Sequence, residues 1–376
     1  LEIATNYRIE LCNDRGVVAV PIESHFGFQY SKTVNGFGWV TINAPFIDPR
    51  YLSVDNIIRI WRQRPGFEYK LDFFGFLRRW SFATDTSGFD RVILSGPDQN
   101  DLMTRRIVAY AAGSAESTAN GAVDDEMKAV IRENFGSLAT DSDRDLSGLS
   151  FTIQTDQTAG TDIEKQFAWR DVDRVLADLN AASRTDGTEI FWFVNVVGID
   201  YDGFPIMEFV TRTNQPGTDR SWEASNKPML FGLHYGNLET PILEYDYSDE
   251  RNFCYVGGQG EGSERQIVEI AEPGRINASI WNRREMFVDA RNQETADQMT
   301  AAGYAKLSEK RPIVRFAGNI LSTDQTPYGD WNLGDYVTIQ YSTVEFTTII
   351  RNVLVSVNAA GTETIRSQME FEQVLG

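Results

Sequence analysis

At 376 residues the chain is too long for one ordinary hydrophobic core, and two or three packed units of roughly 100–150 residues each are expected. Its 35 basic against 54 acidic residues, a formal net charge of −19, argue against a dedicated nucleic-acid binder, which needs clustered Lys and Arg; Arg78-Arg79, Arg105-Arg106 and Arg283-Arg284 are scattered among carboxylates. Hydrophobic residues at 41% exclude disorder, and with no run of 18 apolar residues and no basic-then-apolar N-terminal stretch, neither a membrane span nor a signal peptide is expected.

The first stretch, to Pro97, is dense in strand signals. "GFGWVTINAPF", "DNIIRIWRQRPGFEYKLDFFGFLRRWSFAT" and "FDRVILSG" carry β-branched and aromatic residues broken by turn residues, which predicts hairpins closing on a barrel or sandwich. In "KLDFFGFLRRWSF" nearly every position is apolar, so this strand is expected to be buried on both faces or at an interface. At Pro97 the pattern turns helical: "PDQNDLMTRRIVAYAAG" offers Asp98 or Asn100 as a cap and Gly113 as a stop. "SAESTANG" reads as a loop. Next, "AVDDEMKAVIRENFG" sets Val123, Met127, Val130 and Ile131 on one stripe, and "RDVDRVLADLNAASRTDG" does the same with Val172, Val175, Leu176 and Leu179, so both are predicted helices. "EIFWFVNVVGIDYDGFPIMEFVTRT" reads as two strands around Asp202-Gly203.

From Asn226 strands return in "MLFGLHYG", "PILEYDYS", "NFCYVGG" and "RQIVEIAE". Between the last two, Gly257, Gly258, Gly260 and Gly262 form a loop that superficially resembles a phosphate cradle. A dinucleotide loop needs a helix after it to present N–H groups and a favourable dipole to the pyrophosphate. Here "QIVEIAE" suits a strand, the Lys-Ser/Thr ending of a P-loop is missing and the spacing is not Gly-x-Gly-x-x-Gly, so the loop is expected to connect two strands. "NQETADQMTAAGYAKLSEKRP" predicts a helix capped by Asn292, with a thin apolar face of Ala296, Met299 and Leu307 and shallow packing. Strands "PIVRFAGNIL", "LGDYVTIQY", "EFTTIIRNVLVSVN" and "ETIRSQMEFEQV" close the chain.

Candidate chemistry is sparse. Asp141, Asp143 and Asp145 alternate as at the start of a calcium loop, because a hard cation wants several oxygens from one turn, yet Leu146 stands where an EF-hand needs Gly and Thr152 where it needs Glu. These three aspartates are a weak metal candidate. Cys12 and Cys254 are expected as buried free thiols, and His25 and His234 as structural residues, since two histidines make no zinc module. No Gly-x-Ser-x-Gly elbow occurs, and no catalytic residue or cofactor is assigned. "EYDYSDE" and "GIDYDGF" mix acids with aromatics as sugar clefts do, which leaves a carbohydrate-binding or cell-wall-degrading protein as the alternative reading.

The pieces "FCYVGGQGEGSERQIVEIAEPG", "NRREMFVDARNQ", "AKLSEKRPIVRFAGNIL" and "YGDWNLGDYVTIQY", in that order, resemble the C-terminal half of baseplate hub proteins of long-tailed bacteriophages. "VILSGPDQNDLMTRRIV" resembles the segment of that family where a first barrel hands over to a middle domain; the stretch from Gly113 to Asp162 carries no such motif. The resemblance implies a mainly β chain with α+β parts. It would have a tail-tube-like β-barrel over 1–97, a mixed α/β middle region over 98–225, and a second barrel over 226–376 with an insertion at about 256–311.

The family, related to the hubs of contractile phages and of type VI secretion spikes, implies a homotrimer whose doubled barrels make a pseudo-hexameric ring continuing the tail tube. Implied neighbours are a distal tail or tail tube protein, a tip, spike or fibre protein and the tape measure protein, with DNA passing without specific binding. The implied location is the baseplate or tip of the virion tail; the hub of a phage-derived injection system is an alternative. In this reading Gly257, Gly258, Gly260 and Gly262, together with Leu333, Gly334 and Asp335 of "LGDYVTI", are structural or interaction residues. The acidity would keep the DNA backbone from sticking to the channel wall. Hinges are expected near Pro97 and from Gly217 to Pro228.

Overall fold

The computed structural model describes residues 5–84, 88–110 and 113–375. Eight strands come first: β1 (Asn6–Cys12), β2 (Val18–Ile22), β3 (Gly27–Thr33), β4 (Trp39–Pro45), β5 (Ile57–Gln63), β6 (Lys70–Phe76), β7 (Arg79–Thr84) and β8 (Asp90–Pro97). The middle of the chain holds β9 (Ser117–Ala122), helix α1 (Val123–Phe135), β10 (Phe151–Ile153), β11 (Asp162–Phe167), helix α2 (Val172–Thr185), β12 (Ile190–Ile199) and β13 (Pro205–Thr213). Then follow β14 (Asp219–Arg220), β15 (Leu230–Gly232), β16 (Leu238–Asp246), β17 (Phe253–Gly257), β18 (Ile267–Ala271), the short helix α3 (Pro273–Ile276), β19 (Glu285–Asp289) and helix α4 (Ala296–Ser308). The chain ends with β20 (Ile313–Leu321), β21 (Tyr336–Tyr341), β22 (Val344–Ile349), β23 (Asn352–Asn358) and β24 (Glu363–Val374).

The chain divides into two compact units, Leu1–Glu239 with Ile320–Gln368, and Thr240–Asn319 with Met369–Gly376. In the first, the large sheet runs β24-β23-β3-β4-β8-β7, and a second sheet runs β2-β1-β5-β6. The pairing of β3 with β23, Tyr30 opposite Val355, places residues from the beginning and the end of the chain in one sheet. Alternation decides which face is covered: Val40, Ile42 and Ala44 of β4 are fully buried, as are Val92 and Leu94 of β8. That face meets the smaller sheet, with the rings of Tyr30 and Phe73 5.4 Å apart and those of Tyr7 and Phe28 5.0 Å apart.

The other face of the smaller sheet is covered too. Cys12, Ile57, Phe74 and Phe76 join a core with Val123, Met127 and Ile131 of α1, Val175, Leu176 and Leu179 of α2, and Trp192 and Phe209 of the β12–β13 hairpin. Each such fully buried aliphatic side chain contributes about 1.5–3 kcal/mol. Double coverage accounts for the continuous apolar run in β6. The run ends at Leu77, however, and β7, expected as its continuation, is an exposed edge strand. The strand orders are open paths, and no closed barrel is formed among the described residues.

The outer face of β23, β3, β4, β8 and β7 is open to solvent. It presents Leu354, Ser356, Gln29, Ser31, Trp39, Thr41, Asn43, Ile93, Ser81, Arg91 and Arg79, and no carboxylate among the described residues of that face. In the second unit β17 pairs with β18 and β19, and α4 packs on this sheet through Met299, Gly303 and Leu307.

Some sequence expectations need correction. The helix predicted from Pro97 is only a 3-10 segment, Gln99–Thr104, because the backbone beyond it bonds elsewhere: Val108 N donates to Arg170 O, and Ala109 N to Asn134 Oδ1. "SAESTANG" becomes strand from Ser117 on, as β9, paired antiparallel with β11; its small side chains alternate buried and exposed. The last helix is capped by Thr295 in a capping box with Gln298, not by Asn292. It also sits close rather than shallow, since a Cβ on Gly303 would fall 2.3 Å from Ile270 Cδ1. The helices α1 and α2 and the β12–β13 hairpin form as predicted. No helix among the described residues is long and apolar enough to cross a membrane.

Candidate functional site

The glycine loop lies in the second unit and is a strand connection, as its sequence predicts. β17 ends at Gly257, a 3-10 turn covers Gly262–Glu264, and β18 returns antiparallel. Gly260 (φ +95°) and Gly262 (φ +56°) take left-handed conformations. Gly257 and Gly258 lie in crowded places, where a Cβ would come 2.5 Å from the Phe287 ring and 2.7 Å from Met299 Sδ and displace those side chains. Gly258 N donates to Gln266 O and Gly258 O accepts from Arg265 Nε, so these groups are spent on the hairpin and not turned to a phosphate.

Leu333, Gly334 and Asp335 belong to the first unit. Asp335 is buried, and its carboxylate accepts from Thr218 N at 2.7 Å, Asn332 N at 2.9 Å and Arg220 Nε at 3.0 Å. Gly334 turns at φ +88° against Gly217, where a Cβ on Gly217 would fall 2.6 Å from the Gly334 carbonyl carbon. The Asp335 cluster therefore pins the start of the segment from Gly217 that the sequence suggests as a hinge. Asp141 and Asp145 serve local turns, accepting from Asp143 N at 3.0 Å and Ser147 N at 2.8 Å. Among the described residues no group of three or more His, Cys, Asp or Glu is placed to hold a metal ion. Cys12 and Cys254 are buried free thiols, and burial pushes the Cys12 thiol up to about 11.

Between the two sheets of the first unit lies a polar cluster that no motif announces. Lys32 Nζ of β3 donates to Asp72 Oδ1 of β6 at 2.6 Å, Tyr30 Oη donates to Asp72 Oδ2, and Tyr328 Oη donates to Asp72 Oδ1 at 3.1 Å. Burial favours neutral Asp72, but the ammonium of Lys32 and the hydroxyl of Tyr30 win and hold its carboxyl below the usual range. Beside it Arg62 grips Glu363 of β24 with two hydrogen bonds, Nε to Oε2 at 2.7 Å and Nη2 to Oε1 at 2.8 Å, and its guanidinium lies over the Tyr328 ring. Tyr7 Oη also donates to Glu363. The side chains of Lys32 and Asp72 are 24% and 15% exposed, into a cleft of about 210 Å3 that Leu333 and Asp98 also line.

Asp98 sits where β8 hands over to the middle of the chain. It is 4% exposed; Oδ2 accepts from Gly38 N at 2.7 Å and Oδ1 from Asn100 N at 3.0 Å. Burial outweighs these bonds and pushes its carboxyl up to about 7. Around it the β3–β4 turn is stitched to β12: Asn35 Nδ2 donates to Ile190 O, Trp192 N to Asn35 Oδ1, and Val194 N to Asn100 Oδ1. Asn100 Nδ2 in turn donates to Gly36 O at 2.9 Å. The site is thus a polar seam in which ion pairs and hydrogen bonds tie β3 to β6, β5 to β24 and the β3–β4 turn to β12.

Sequence reading singled out Leu333 but missed Lys32, Asp72, Arg62, Glu363 and the buried carboxyl of Asp98. One signal existed: Asp72 stands inside "KLDFFGF", where a carboxylate among buried apolar residues demands a partner.

The family model described as Siphovirus ReqiPepy6 Gp37-like protein matches residues 28–368. Among solved structures, the 43 kDa tail protein of prophage MuSo2 from Shewanella oneidensis is similar at 12% identity and a TM-score of 0.53, over 97% of this chain and 98% of that one. A tail protein from Neisseria meningitidis MC58 is similar at 9% identity and a TM-score of 0.51, over 98% and 97% of the two chains. No curated protein matches the sequence. With 341 consecutive positions spanned by the family model and a fold shared with phage tail proteins from end to end, the chain belongs to the Siphovirus ReqiPepy6 Gp37-like protein family.

Proposed function

We propose that the chain is a non-enzymatic hub at the distal end of a phage tail, a homotrimer forming a pseudo-hexameric ring that continues the tail tube to the tip and acts as conduit and gate for DNA. In this reading residues 1–97 and 226–376, with about 256–311 inserted, supply two tube-like halves, and 98–225 form the middle part. The observation that carries it is the likeness to phage tail proteins along nearly the whole chain, joined to the hub-like motifs of the sequence.

The open sheets support it. Among the described residues β7 is an edge strand with no strand on its far side, and Phe82 packs against Phe46 there, both about half exposed. Such an edge invites pairing, and a closed ring of copies removes it. The open face over β23, β3, β4, β8 and β7, which carries no carboxylate among its described residues, suits a protein that associates through large surfaces. Neighbours would be the distal tail or tube protein above and tip, spike or fibre protein below, with the tape measure protein and then DNA inside.

Light scattering with electron microscopy of the same peak tests the reading. A trimer with a central hole is the expected result. A chain that stays monomeric with its tail neighbours present and hydrolyses cell-wall material would overturn it in favour of the carbohydrate-active alternative.

A further inference from the structure

In the first unit, the open face of the large sheet and the middle part of the chain lie at opposite ends of one stack of layers. The buried side of the large sheet meets the smaller sheet, and the far side of the smaller sheet meets the core built on α1, α2 and the β12–β13 hairpin. The two ends differ in charge. Over β23, β3, β4, β8 and β7 the described residues of the outer face include Arg79 and Arg91 and no lysine, aspartate or glutamate. Residues 113–214 hold 19 acidic against 8 basic residues, and Asp162, Glu164, Asp171, Asp186, Asp200 and Asp202 among them are exposed. We propose that copies of this chain meet front to back, the outer sheet face of one docking on the acidic middle part of the next.

The face has the composition of an interface centre, where aromatic residues and Arg are enriched and Lys, Glu and Asp are depleted. Trp39, Ile93 and Leu354 stand on it at 42%, 36% and 40% exposure. Its size is adequate: five strands about 4.8 Å apart and about seven residues long cover roughly 550 Å2 in plane. Side chains standing on that plane bring the accessible area towards the about 800 Å2 per partner of a standard interface. Charge chooses the partner surface. A chain of net charge −19 repels its own copies, and the face without carboxylates is where an acidic surface can approach, with Arg79 and Arg91 meeting its carboxylates. Two outer faces set against each other would instead bring arginine to arginine. Different patches in contact make the association heterologous, and such contacts end in a ring when the rotation closes. In the homotrimer proposed above, on which this contact rests, each copy uses both ends once.

The test uses the full-length chain. Light scattering at low salt should show a trimer that dissociates as salt rises, because the contact is partly ionic. Arg79→Glu combined with Ile93→Glu puts carboxylates on the face; association should weaken about tenfold or more, with the melting temperature unchanged because both side chains reach solvent. Ser81→Lys gives the face an amine. In a mixture of isotope-labelled and unlabelled Ser81→Lys chains, a zero-length carbodiimide should join that segment to carboxylates within residues 113–214 of another chain, read by mass spectrometry. A trimer that withstands the two glutamates, or cross-links between chains that map outside residues 113–214, overturns the contact and leaves the homotrimer in place. A chain that never associates overturns both. Retention of duplex DNA by the wild type without self-association, lost in Arg79→Glu, hands the face to nucleic acid and equally overturns the proposal.

Discussion

Replacing Asp98 by asparagine tests the reading of the seam most directly. The carboxyl titrates near 7 in the folded chain, against about 3.9 in an unfolded one, because burial disfavours its charge. The unfolded state therefore releases this proton first as pH rises. Asp98 stabilises most when protonated, and its contribution falls between about pH 4 and pH 7 and is level above. A difference of about three pKa units corresponds to roughly 4 kcal/mol, of which about 2–3 kcal/mol falls between pH 5 and pH 8.

The amide that Asp98→Asn introduces cannot ionise. At pH 5 it resembles the protonated acid in shape and loses an acceptor for Gly38 N or Asn100 N, a pH-independent cost of about 1–3 kcal/mol. Denaturant unfolding of wild type and Asp98→Asn at both pH values, followed by the fluorescence of buried Trp192 in the same seam, gives the comparison. The gap between the two proteins should move in favour of the variant by about 2–3 kcal/mol from pH 5 to pH 8. Parallel pH dependences would refute the assignment of a raised carboxyl at this position.

Other outcomes follow from single contacts. Arg62→Met leaves Glu363 charged and enclosed without its partner, and thermal or denaturant unfolding should show a loss of about 3–5 kcal/mol. Asp335→Ala removes the acceptor of Thr218 N, Asn332 N and Arg220 Nε; a loss of about 2–4 kcal/mol, with faster proteolysis around Gly217, is expected if the cluster pins that segment. Gly303→Val would drive a side chain into Ile270 and Val256, so proteolysis should release α4 while the first unit stays resistant. Calorimetric titration with millimolar calcium should give no heat, because Asp141 and Asp145 are spent on their own turns; heat abolished by Asp141→Asn would reverse that assignment.

By itself the sequence determined the local structure wherever one physical signal dominates. The stripes of α1 and α2 specify their buried faces because a helix repeats every 3.6 residues, and the glycines of the β17–β18 loop announce a turn because few other residues take those angles. The run in β6 disclosed a strand covered on both faces. Tertiary structure alone decided the rest, because it depends on partners distant in the chain. "SAESTANG" became a strand only because β11 supplies its hydrogen bonds, and the helix predicted from Pro97 stopped at Thr104 because Arg170 and Asn134 claim the backbone beyond it. Lys32, Asp72 and Tyr328 are ordinary residues in sequence. They become one cluster when β3 and β6 face each other across a core, and a charge has no meaning for function until the fold fixes what lies opposite it.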